Sequence, residues 1–144
     1  MNIWFYMIHT GLLLFLGIAA QLDLRSKSLG LIFLCTGFTA GVVLQTLSGE
    51  LSLWEIAGGA ALGGAAELIS VLSKNGIGLA DGFLLGICGV WLGFASAAVL
   101  MLISLLIMAA AAILMISLKK ARFKDSLPFA PFLLAGYIVV LIFL

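Results

Sequence analysis

Charge is scarce in this sequence. Only 9% of its 144 residues are Asp, Glu, Lys or Arg, where a water-soluble domain carries about 25%. Histidine is scarcer still: the single His9 excludes an H-E-x-x-H zinc hydrolase, which needs two. The two cysteines, Cys35 and Cys88, lie in separate apolar segments. With no C-x-x-C pair there is no thiolate zinc site, and with both expected to be buried in helices no disulfide is expected. A net charge of +1 offers no basic face to nucleic acid. No metal and no cofactor is expected.

What the chain has is hydrophobic length. Hydrophobic residues make up 65% of it, and the mean hydropathy is +1.35. The expected fold class is all-α: a polytopic membrane protein forming a bundle of six transmembrane helices, with residues 1–144 as a single membrane-embedded domain. A bilayer core of about 30 Å takes about 20 apolar residues per helix. The first three spans fall at 3–20, 29–47 and 53–72. "LLLFLGIAAQ" in the first resembles a signal-peptide core, but residues 1–9 hold no Lys or Arg, so this segment is expected to stay as a helix. Residues 82–118 carry no charge. As one helix they would be about 55 Å long, too long for one crossing. The chain is therefore expected to turn at "GFAS", residues 93–96, giving spans at 81–94 and 97–118, and a last span at 128–144.

Charge then orients the bundle. All seven basic residues (Arg25, Lys27, Lys74, Lys119, Lys120, Arg122 and Lys124) fall in the first, third and fifth connections. By the positive-inside rule those connections are cytoplasmic and both termini lie on the non-cytoplasmic side. In the third span, "GGAALGGAA" sets Gly59 and Gly63 on one face. In the fourth, Gly86, Gly89 and Gly93 do the same. Such faces are expected to pack these two helices closely.

Six acidic residues remain to be placed. Asp125 lies among lysines, and Glu50 and Glu55 lie at the outer ends of spans two and three, all cheaply solvated. Asp23, in "AAQLDLRSKS", falls just past the cytoplasmic end of the first span. Asp81, in "SKNGIGLADGFLLGICGVWLG", opens the fourth at the same membrane face. Two carboxylates at one depth can share a proton and divide acid and base roles. Taken singly, each has a simpler reading: Asp23 as a juxtamembrane charge paired with Arg25 or Lys27, Asp81 as a helix N-cap. Glu67, inside the third span and about two turns from Lys74, is either a functional group or a buried, paired one. His9 lies far from the cytoplasmic face and is expected to be packed and hydrogen-bonded.

At these residues the chain resembles the type IV prepilin peptidases, membrane aspartyl proteases with a G-x-G-D motif. Three segments carry the resemblance. "LDLRSKSLGLIFL" resembles the family's first aspartate segment, with a basic residue two positions on. "GIGLADGFLLGICGVWLG" resembles the G-x-G-D segment and its following helix. "LPFAPFLLAGYIVVL" resembles the family's last helix. The resemblance implies Asp23 and Asp81 as the catalytic pair and Gly78 as the first glycine of the motif. Ala80 stands where the second glycine is usual; glycine there would permit a positive φ or a close peptide approach. Larger members carry an insertion with paired Cys-x-x-Cys motifs associated with N-methylation. This chain has none, which implies a short, peptidase-only form.

The substrate implied is a prepilin or pseudopilin cut between its basic leader and its hydrophobic helix, at the cytoplasmic face of a bacterial inner membrane. Membrane lipid is the other partner implied; no oligomeric state is. Glu67 is a candidate modulator of the pair. Two rival readings are a catalytically silent homologue acting in assembly, for which Ala80 is the hint, and a small transporter using the membrane carboxylates. A transporter would more often hold its carboxylates near the midplane.

Overall fold

A computed structural model describes residues 2–26, 28–72, 78–119 and 127–143. The elements in order are α1 (Ile3–Ser26), α2 (Leu31–Ser48), α3 (Leu53–Leu72), α4 (Leu79–Ser117) and α5 (Ala130–Phe143). Among the described residues there is no strand. Among the described residues four helices, α1 to α4, are long and apolar enough to cross a membrane, and α5 is a shorter apolar helix. Helices satisfy their own backbone donors and acceptors, which hydrocarbon requires. Large side chains such as Ile32, Trp54, Leu106 and Phe143 point outward, a surface suited to lipid rather than water. The chain is a multi-pass, all-α membrane protein.

The starts of α2 and α3 lie within two residues of expectation. "SLWE" opens α3 as a capping box: the Glu55 carboxylate accepts from the Ser52 N–H and hydroxyl, both at 2.8 Å. α1 is longer than expected. It runs on to Ser26, so Asp23 belongs to its last turns rather than to a connection beyond it. Cys35 also departs from expectation. It is exposed on α2 while Cys88 is buried, and both are free.

α4 is broken at Gly93, where φ is 79° and ψ is 168°, a region that only glycine occupies cheaply. The two arms are 79–92 and 94–117. In one straight helix Gly82 and Met108 would lie about 39 Å apart. Here both line one cavity of about 990 Å³, because the second arm turns back along the first.

Two seams hold the broken helix. On one side α3 meets the first arm backbone to backbone at two pairs of glycines. A Cβ on Gly59 would strike the Gly89 backbone, and one on Gly63 would strike the backbone of Gly86. The expected glycine face is thus a backbone contact between α3 and α4. On the other side α2 is tied to Trp91. The Trp91 Nε1–H donates to the Gly37 carbonyl at 2.9 Å, and the buried Gln45 amide donates to the Trp91 carbonyl, two residues before the break. Leu12, Leu16, Leu84, Ile87, Leu133 and Tyr137 fill the core between α1, α4 and α5.

Candidate active site

Asp23 is 8% exposed. A carboxylate is buried at that level only when its lone pairs find donors. The donor here is the Ala130 N–H, 3.1 Å from Asp23 Oδ2. Ala130 is the first residue of α5. The Phe129 carbonyl already accepts from the Phe132 and Leu133 N–H groups at 3.0 Å, so Phe129 caps the helix and the Ala130 N–H is one of the groups with no intrahelical partner. α1 and α5 pack along each other, which brings this donor to Asp23.

Asp81 lies in the first turn of α4, where Gly78 is the N-cap with extended φ −67° and ψ 140°. The reading of Asp81 as an N-cap is therefore corrected: it is the third helical residue. Its N–H donates to the Gly78 carbonyl at 3.0 Å, and its carboxylate accepts from the Gly78 N–H. This is the arrangement of a capping-box acid reaching back to the cap. A Cβ on Gly78 would lie 3.1 Å from Asp81 Oδ2, so glycine here makes room for the carboxylate. Ala80 is helical, and among the described residues positive φ occurs only at Gly49, Gly93 and Lys119. Position 80 needs no glycine on conformational grounds.

The two aspartates, far apart in sequence, line the same cavity, with Gly78 and Ala80 beside them. Asp81 lies near enough to Asp23 to feel its charge. The rest of the lining is mostly apolar. α3 supplies Leu62, Ala66 and Ile69, and the second arm of α4 supplies Met101, Leu105 and Met108. Like charges sharing a mostly apolar site favour a state in which one group holds a proton. Such a pair can activate water and polarise a carbonyl without a metal.

The remaining candidates fall elsewhere. Glu67 packs its Cγ against Gly82, next to Asp81, without being among the residues that line the cavity. His9 is packed against Phe5, and its Nδ1 lies 2.7 Å from the Tyr137 hydroxyl. Arg25 is exposed. Lys27, Lys74, Lys120, Arg122, Lys124 and Asp125 lie outside the described residues. Among the described residues no three His, Cys, Asp or Glu side chains gather to hold a metal. Sequence reasoning missed the Ala130 N–H and Gln45. The first had a signal in the prolines of "LPFAPF"; Gln45 had only its polarity within an apolar span.

No curated protein and no solved structure matches the chain. The sequence model of the type IV leader peptidase family matches residues 10–114. The matched stretch takes in Asp23, Gly78, Ala80 and Asp81 and ends before α5, so the resemblance noted at "LPFAPF" lies beyond it. Since the match spans most of the sequence and contains both cavity aspartates, the chain belongs to the type IV leader peptidase family.

Proposed function

We propose that this protein is an aspartic-type endopeptidase that removes the leader of type IV prepilins or pseudopilins at the cytoplasmic face of a bacterial inner membrane. The observation that carries this reading is the meeting of Asp23 and Asp81 at one largely apolar cavity. One carboxylate, ionised, takes a proton from water as the water oxygen bonds to the scissile carbonyl carbon. The other, protonated, donates to the carbonyl oxygen. Collapse of the tetrahedral gem-diol breaks the C–N bond: the leaving amine takes the proton gained by the first carboxylate, and one diol hydroxyl returns its proton to the second as the new carbonyl forms. Neither residue is assigned one role.

In this reading the two arms of α4 are separate crossings, the bundle has six, and both termini face out. Gly78 and Ala80 shape the entry to Asp81, and Glu67 modulates it through Gly82. With no Cys-x-x-Cys pair, N-methylation is not part of the activity. The test is co-expression with candidate prepilins from the same genome, reading leader loss by mass spectrometry. Wild type is expected to cut, and Asp23→Asn and Asp81→Asn to be inert though inserted in the membrane. Cleavage that survives loss of either aspartate would reject the mechanism. Intact substrates throughout would favour the silent-homologue reading.

A further inference from the structure

We propose that the start of α5 is a built anchor for Asp23, in which the Ala130 N–H is a positioning group that fixes the carboxylate for reaction. The proposal rests on the peptidase reading for its kinetic consequence only. Three observations carry it. Asp23 is the one carboxylate buried among the described residues. Its Oδ2 accepts from the Ala130 N–H at 3.1 Å, while the residue lines the cavity. And the local sequence removes competing donors. Pro128 and Pro131 have no N–H, and the Phe132 N–H is already taken by the Phe129 carbonyl at 3.0 Å. Of residues 128–132 only Phe129 and Ala130 keep a donor to offer. Pro131, in the first turn of α5, also holds φ near the helical value, so that donor is held in place. The segment "LPFAPF", which contributes no reactive side chain, thereby acquires a function through its backbone.

The asymmetry follows directly. Asp81 takes its backbone donor from Gly78, within its own helix turn. Asp23 takes its donor from a different helix, 107 residues away. The position of Asp23 therefore depends on how α5 docks, whereas that of Asp81 is set locally. A carboxylate released from such a donor loses its alignment, and misplacement of about 1 Å costs on the order of 100-fold in rate.

The test uses full-length protein in lipid nanodiscs. Ala130→Pro deletes the N–H at the first helical position, where proline is well tolerated; Ala130→Ser keeps it. Ala130→Pro is expected to lower kcat about 10- to 100-fold, leave KM within about twofold, and displace the pH profile of kcat, while Ala130→Ser stays near wild type. An Ala130→Pro enzyme with unchanged kcat and pH profile would overturn the proposal. A second arm needs no activity. Amide hydrogen exchange at Ala130, read by NMR on ¹⁵N-alanine-labelled protein, is expected to accelerate at least about tenfold in Asp23→Ala and not in Asp81→Ala. Unchanged exchange in Asp23→Ala overturns the anchor even if Ala130→Pro fails to fold. Faster exchange in a protein that cuts no prepilin upholds the anchor and rejects the peptidase reading alone.

Discussion

Gly78 and Ala80 flank the approach to Asp81, and the structure gives them different reasons to be small. At Gly78 the backbone is ordinary extended chain, so alanine is not strained there. Its methyl would instead press on Asp81 Oδ2, 3.1 Å from the Cβ position. Gly78→Ala is expected to leave the fold intact and lower prepilin cleavage about tenfold by shifting that carboxylate. At position 80 the backbone is helical, so Ala80→Gly removes only a methyl. Cleavage is expected to stay within about twofold, at a cost of up to about 1 kcal/mol in helix stability. Initial rates on one prepilin, with helix content from circular dichroism, check both. A large gain in Ala80→Gly would mean that the methyl obstructs substrate after all. Asp23 was legible in the sequence as a candidate carboxylate near the end of an apolar span. Its burial was not, because burial depends on the distant Ala130 N–H.

Between elements, the seams of α4 are backbone-close on one side and hydrogen-bonded on the other. Gly63 lies against backbone that cannot swing aside, whereas Gly64, its neighbour, faces open space. Gly63→Ala is expected to destabilise the protein by about 1–3 kcal/mol through overpacking, and Gly64→Ala to be near neutral. Thermal unfolding in detergent separates them; equal effects would refute the backbone contact. Gln45→Leu keeps a similar volume but strips the buried Trp91 carbonyl of its amide donor. A loss of about 1–3 kcal/mol is expected in the same measurement, and a neutral result would mean another donor replaces it. The small-residue faces of α3 and α4 were readable from spacing. The turn within 93–96 was readable because an uncharged run of that length does not fit one bilayer crossing. Gln45 was not readable as a brace, since its partner exists only where α2 meets the broken helix.

For the molecule as a whole, an apolar exterior and a nearly uncharged sequence call for a bilayer. On the six-crossing reading the basic residues fall at or near alternate connections. Reporter fusions are therefore expected to place both termini outside the cytoplasm, with a fusion after Lys119 inside. A terminus on the cytoplasmic side would reject the six-crossing reading while leaving the cavity unaffected.

Hydropathy is additive along a chain, which is why membrane class, helix content and the approximate spans followed from the residues alone. Asp23 and Asp81 could be named as candidates from the expected spans and the family resemblance, though each segment taken singly offered a simpler reading. What needed the tertiary structure was every fact that joins distant residues. The doubling back of α4 brings Met108 beside Gly82. Close approach of α3 needs glycine on both helices at matched heights. The donor for Asp23 sits on the last helix. Hydrogen bonds and backbone contacts act over a few ångströms, so their partners are decided by packing and not by position in the sequence.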